Sequence, residues 1–205
     1  MDNAIDNKKR DFCQRLRTTN RKGVEKIITF LEGSGFFTAP ASTRFHLSYE
    51  GGLVEHSINV YDVAMDIRDA MVKKNANLEE QLPVDSVVIA SLLHDTCKAD
   101  IYRPVSRKWT KMANVFGYGG KIPPYYVDYG RHPFGHGEKS VILLLQNGLE
   151  MTEDEMLAIR WHMGAWNLPF QSSEMLGNIN KAKSICPLVT LIYSADELAS
   201  QIMEG

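Results

Sequence analysis

The sequence predicts an all-α protein folded as one domain, and three observations predict it. Apolar residues recur at helical spacing in several long segments. Helix start and stop signals punctuate those segments: Pro83, Thr152 with Glu155, and Pro187 ahead of runs, Gly33–Ser34–Gly35 and Gly148 behind them. No repeat, linker or compositional break divides the 205 residues, of which 44% are hydrophobic and 23% charged, the balance of a globular chain with its own core.

In chain order, residues 4–17 and 21–33 are two short amphipathic helices, read as an N-terminal helical cap over 1–35 ahead of a domain at 36–205. Phe36–Gly52 is a connector rich in small and turn-forming residues. From Leu53 to Lys74 the apolar positions Ile58, Val60, Val63, Ala64, Ile67 and Met71 repeat with helical period. Pro83 introduces Val84–Leu93, read as a buried helix, although Val84, Val87, Val88 and Ile89 leave a strand open. Residues 137–147 form a helix stopped by Gly148, and the Thr152/Glu155 capping box opens another that runs to Met163–Gly164. The last helix starts at Pro187, a favoured first-turn position, and runs to Met203.

The exception is an insertion at about 102–135, rich in Gly, Pro and aromatic residues. Connectors longer than about 15 residues are usually binding loops or hold small strands of their own. Between Lys98 and Arg131 stand seven cations (Lys98, Arg103, Arg107, Lys108, Lys111, Lys121, Arg131) and two acids (Asp100, Asp128), a local +5 in a chain of net charge −2. Interleaved cations and aromatics suit phosphates and bases. A small hairpin whose aromatics pack on the helices explains the composition as well.

Composition also excludes functions. A net charge of −2 announces no nucleic-acid binder. The longest apolar runs, Val87–Leu93 and Val141–Leu145, fall far short of the ~20 residues of a spanning helix, so no membrane role is expected. The basic N-terminus has no apolar stretch behind it, unlike a secretory signal. Cys13, Cys97 and Cys186 are odd in number and form no CxxC pair, which fits a reducing cytoplasm rather than a disulfide framework or zinc knuckle.

The histidines are informative by position. His56, His94, His136 and His162 stand near the ends of expected helices, where helices of a bundle converge on one cavity. Asp95 and Asp196 interrupt the apolar runs SLLHDTC and LIYSADELA, and a buried carboxylate is costly unless paired or bound to metal. Imidazole and carboxylate without thiolate suit Mn, Fe, Co, Ni, Mg or Zn in a catalytic site. Taken singly, each histidine reads more readily as a satisfied core or surface residue than as a ligand.

The strings GGLVEHS (51–57), LLHDTCK (92–98), GHGEKS (135–140), IRWHMG (159–164) and YSADELAS (193–200) together resemble the ordered motifs of the HD-domain metal-dependent phosphohydrolases. The resemblance covers about Phe45 to Ser200 and implies an HD-type helical bundle. It implies that His56, His94, Asp95 and Asp196 hold one divalent ion, with Asp95 bridging to a second ion when one is present. His136 and His162 match the extra histidines of binuclear members, so one or two ions are implied. Lys98 stands where related sequences often carry a lysine near the phosphate, and the acidic residue that some nucleotidase-like members have there is absent. The stretch RFHLSYEGGLVEHS is similar to that of HD-type 3′–5′ exoribonucleases, with Phe45 replacing the first histidine of a pair and His46 keeping the second.

The activity so implied is hydrolysis of a phosphoester of a nucleotide or short nucleic acid by metal-activated water. Asp95 and Lys98 are its catalytic candidates. Lys98, His46, Arg103, Arg107, Lys111 and Arg160 are candidates for substrate binding, and Glu55 and Glu138 for orienting the ligand histidines. Trp161 and Trp166 read as core. A nucleotide-sensing module without turnover and a phosphomonoesterase acting on a small metabolite stand as alternatives, and a homo-oligomer is compatible with all three.

Overall fold

The computed structural model describes residues 2–106, 122–129, 133–164 and 172–205. Helix α1 (Asp2–Thr18) ends on Arg15 and Arg17, cations favoured beside the free carbonyls of a C-terminus. Helix α2 (Val24–Ser34) stops at Gly35, whose φ of 84° is the left-handed conformation that glycine adopts without a Cβ penalty. Phe12 of α1 meets Phe36 and Phe37 just beyond α2, with ring centroids 5.3–5.6 Å apart. Fully burying one such side chain contributes about 1.5–3 kcal/mol.

Helix α3 (Gly52–Lys74) follows the connector. A Cβ on Gly52 would overlap the carbonyl oxygen of Leu47, so glycine lets the connector fold tightly against the helix start. A short α4 (Leu78–Gln81) precedes Pro83 and α5 (Val84–Leu93). The structure decides between helix and strand for this run: α5 is a helix, and every residue from Ser86 to Leu93 is buried. A helix apolar on all sides loses its periodic signal because it lies in the middle of a bundle. A 3₁₀ turn, Thr96–Asp100, follows directly.

The described parts of the insertion contain a two-stranded antiparallel pair, β1 (Tyr102–Pro104) and β2 (Tyr125–Val127), with Arg103 opposite Tyr126. Arg107, Lys108, Trp109, Lys111, Phe116, Tyr118, Lys121 and Arg131 of the basic-aromatic stretch lie outside the described residues, as does Trp166.

Helix α6 (His136–Gln146) packs on α7 (Glu153–Trp161). Gly137 sits at their closest approach, where a Cβ would overlap the Arg160 carbonyl oxygen. Both halves of the Thr152/Glu155 capping box form at the start of α7. The Glu155 carboxylate also accepts from Arg21 and from Ser86, linking the α1–α2 junction to the central helix. Trp161 is buried.

Helix α8 (Ser173–Ile185) has no counterpart in the sequence reading. It buries only Ile179 and Ala182 and carries Gly177 in its middle, so its apolar stripe is thin. Helix α9 (Pro187–Leu198) starts at proline as expected, and its final turn, Ala199–Met203, widens to a π-helix. Helices α3, α5, α7 and α9 pack on one another around the core, and α1 lies across α3 and α5. Among the described residues, no helix is long and apolar enough to cross a membrane.

Candidate metal centre

Helix ends bring the candidate ligands together. His56 comes from the N-terminal part of α3, His94 caps α5 and Asp95 follows it. His136 begins α6, His162 caps α7 and Asp196 lies near the end of α9. The 3₁₀ turn after Asp95 closes through a Lys98 N–H to Asp95 carbonyl bond of 2.9 Å, which turns the Lys98 side chain back onto Asp95. This turn is tied to α6 by Cys97 N–H to Ser140 Oγ (3.1 Å) and by Lys139 Nζ to Asp100 (2.7 Å).

Asp95, 2% exposed at its side chain, is the hub. Its Oδ2 lies 2.5 Å from Lys98 Nζ, 3.4 Å from His94 Nε2 and 3.6 Å from His56 Nε2. Its Oδ1 lies 3.0 Å from His136 Nε2 and 3.3 Å from His162 Nε2. One carboxylate thus presents each oxygen to a different pair of histidines. Asp196 Oδ1 stands 3.2 Å from His56 Nε2.

The histidine tautomers follow from their partners. His94 and His162 each donate Nδ1–H to a main-chain carbonyl one turn back, Ser91 and Ile159, both at 2.7 Å. His56 donates Nδ1–H to Glu204 Oε2 at 3.0 Å. A carbonyl or carboxylate only accepts, so Nδ1 carries the proton in each ring and Nε2 faces the cluster. His162 Nε2 is buried and makes no hydrogen bond, its 3.3 Å approach to Asp95 lacking hydrogen-bond angles.

Burial dominates the electrostatics, and charged neighbours then decide the direction. Burial works to lower the His56 pKa, but Asp196 and Glu204 raise it to about 9. His136, likewise opposed by burial, is raised to about 10 by Cys97 and Asp95. Burial alone would raise Asp95; Lys98, His94 and the other histidines instead hold it well below the ordinary carboxylate value. Lys98 is opposed by burial and raised by Asp95. Burial drives His162 down despite Asp95. Without metal, protons on His56, His136 and Lys98 supply the positive charge that this cluster of acceptors requires.

The remaining candidates divide. His46 is brought to the cluster: its ring centroid is 4.9 Å from that of His56, and its buried Nε2 makes no hydrogen bond. Burial, with His56 and Lys98 nearby, lowers its pKa to about 4. Ser42 Oγ, which donates to the His46 carbonyl at 2.7 Å, holds the turn that presents it. Arg103 is on exposed β1, 3.7 Å from Asp128. Arg160 pairs with Glu138 and stacks over Trp161 at 4.0 Å. Glu55 turns to Lys8 and Tyr49 rather than to His56, because consecutive helical residues point about 100° apart. Arg107 and Lys111 lie outside the described residues.

Glu204 joins the cluster without having been nominated by the sequence. It stands in SQIMEG, a polar stretch with no periodic signal, and nothing in the sequence announces the π turn that aims it at α3.

Among the described residues, donor sets of three that can hold an ion are His56/His94/Asp95, Asp95/His136/His162, His94/His162/Asp196 and, on the outer side of His56, His46/His56/Glu204, the atoms of each set within 4.8 Å of one another. All-imidazole and carboxylate donors, inward Nε2 lone pairs and an orphaned His162 Nε2 fit a divalent cation.

Comparison with known proteins supplies the family. The HD domain family matches residues 53–201, the range that holds His56, His94, Asp95, His136, His162 and Asp196. This chain belongs to the HD-domain family, and its all-α bundle is of that type. It is also similar to the dihydroneopterin 2′,3′-cyclic phosphate phosphodiesterase of Methanocaldococcus jannaschii, at 41% identity over 36% of this chain and 33% of that one. The match thus spans about a third of the relative's length. No solved structure matches the chain.

Proposed function

We propose that this protein is a metal-dependent phosphohydrolase acting on a phosphoester of a nucleotide or short nucleic acid. One observation carries the reading: Asp95 presents Oδ2 to His56 and His94 and Oδ1 to His136 and His162, with Lys98 at 2.5 Å. In this reading His56, His94, Asp95 and Asp196 hold one divalent ion, and Asp95, His136 and His162 hold a second. A bound divalent ion supplies a Lewis acid for the phosphoryl oxygens and an activated water.

The chain's own groups do the rest. Lys98, held in place by Asp95, offsets charge that builds on the phosphoryl oxygens during in-line attack. His46 has a neutral ring with a buried, unpartnered Nε2 beside His56, and it offers a hydrogen bond at the rim of the cluster. Arg103, Arg107, Lys111 and Arg160 supply cations for the rest of the substrate. The chain's free, buried Cys13, Cys97 and Cys186 suit a reducing cytoplasm.

A cyclic phosphodiester, the substrate class in the name of the Methanocaldococcus jannaschii relative, is the first substrate to try. The test is chromatographic product analysis of Mn-loaded wild type and Asp95→Ala. The panel holds 2′,3′- and 3′,5′-cyclic nucleotides, nucleoside mono-, di- and triphosphates and a short single-stranded oligonucleotide. A product formed by wild type alone supports the reading and names the bond. No product from metal-replete wild type overturns it in favour of sensing or of a phosphomonoesterase acting on a small metabolite.

A further inference from the structure

His56 differs from His94 and His162 in how its outer nitrogen is held. His94 and His162 sit at helix C-termini, where main-chain carbonyls are left without helical partners, and each ring uses the one three residues back. His56 sits near the start of α3, and the corresponding carbonyl, Leu53, already accepts the Ser57 hydroxyl at 3.0 Å inside the helix. Its acceptor must come from elsewhere. Glu204 supplies it, 148 residues away, through Oε2 at 3.0 Å and Oε1 at 3.2 Å.

Glu204 is itself built into place. Its side chain is 1% exposed, and Asn59, one turn beyond His56, donates Nδ2–H to Oε1 at 2.8 Å. The π turn closes with Glu204 N–H to Ala199 carbonyl at 3.1 Å and carries the carboxylate back over α3. Glu204 falls outside the 53–201 range that matches the HD family, so the family pattern does not assign it.

Building on the metallohydrolase reading above, we propose that Glu204 is a positioning residue for the metal centre, fixing the Nδ1-protonated tautomer and the ring orientation of His56. Its acceptor oxygens commit the proton to Nδ1. The Nε2 lone pair then points to the site, 3.2 Å from Asp196 Oδ1 and 3.3 Å from His94 Nε2. An anionic acceptor also makes the imidazole a more basic ligand than a neutral carbonyl does. His56 is therefore a ligand whose outer nitrogen is held from outside its own helix.

The test is Mn(II) affinity by competition with a chelator for wild type, Glu204→Ala and Glu204→Gln. It is paired with ¹⁵N NMR of the His56 ring in the zinc-loaded proteins and with circular dichroism of the metal-free ones. Glu204→Ala is expected to weaken Mn(II) binding by about 10–100-fold, with Nδ1–H of His56 no longer held. Glu204→Gln, which keeps an acceptor and loses the charge, is expected to show a smaller loss and to retain the tautomer. Glu204→Ala within about twofold of wild type overturns the proposal, being far below the effect of losing an orienting group. Where Glu204→Ala does not fold, Glu204→Leu, which fills the space without offering an acceptor, decides by the same criterion. Wild type that binds no divalent ion overturns the metal reading itself, whereas a normal wild type with an unchanged variant overturns only the role of Glu204.

Discussion

The Nε2 atoms of His56 and His94 lie 3.3 Å apart, each ring holding an Nδ1 proton in a bond that points away from the other. Two facing lone pairs beside Asp95 and Asp196 require positive charge between them, from a proton or a cation. The metal-free chain answers with protons, so protons and metal compete for one site. His56 and His136 have pKa values raised to about 9 and about 10. A raised folded-state value stabilises fully below the ordinary 6.5 and is lost as pH rises through the folded value. The melting temperature of EDTA-treated protein should therefore fall between about pH 6.5 and about pH 10, while metal-loaded protein falls less. Thermal melts across that window check this; a metal-free curve that is flat or rises there refutes it.

Asp95→Ala removes the one carboxylate shared by both histidine pairs. Metal content measured by elemental analysis should fall to background, and turnover should vanish with it. Asp95→Asn is the sharper variant, because it keeps the shape and loses the charge. A metal-replete, active Asp95→Asn protein would count against the whole assignment.

Lys98→Ala separates binding from chemistry. The ammonium lies 2.5 Å from Asp95 Oδ2, so it competes with a cation for that oxygen. Its removal should leave metal affinity equal or tighter. Turnover should fall by about 10²–10³-fold, the usual loss when one preorganised donor to transition-state charge is removed. Parallel metal titration and kcat measurement check both halves. A loss of affinity equal to the loss of rate would show that Lys98 only supports the site.

Local chemistry made much of this molecule legible. Thr152 and Glu155 form the capping box their spacing announces, Pro187 opens α9, and Asp95 and Asp196 stood out as carboxylates inside apolar runs. Legibility failed where tertiary context decides. Val84–Leu93 reads correctly as a buried helix, but with a strand left open beside it, because burial on every side erases periodicity. Helix α8 was missed because Ile179 and Ala182 alone are too thin a stripe. Glu204 meets His56 only through a π turn and 148 residues of intervening chain, a relationship no local pattern encodes.

The Glu155 network gives a stability prediction independent of the site. Its carboxylate is fully buried and accepts from Arg21 at 2.8 and 3.0 Å, from Ser86 Oγ at 2.7 Å and from the Thr152 N–H at 3.0 Å. Arg21→Ala leaves that charge with neutral donors only, and a broken buried pair typically costs 3–5 kcal/mol. Arg21 keeps 19% exposure, so the loss should sit near the lower end, about 3 kcal/mol. Arg17→Ala is the control. Arg17 pairs with Glu25 at 2.7 Å with both side chains more than half exposed, and such a solvent-screened pair contributes little. Urea unfolding of the two variants should place Arg21→Ala well below Arg17→Ala. Equal midpoints would mean that water, rather than Arg21, satisfies Glu155.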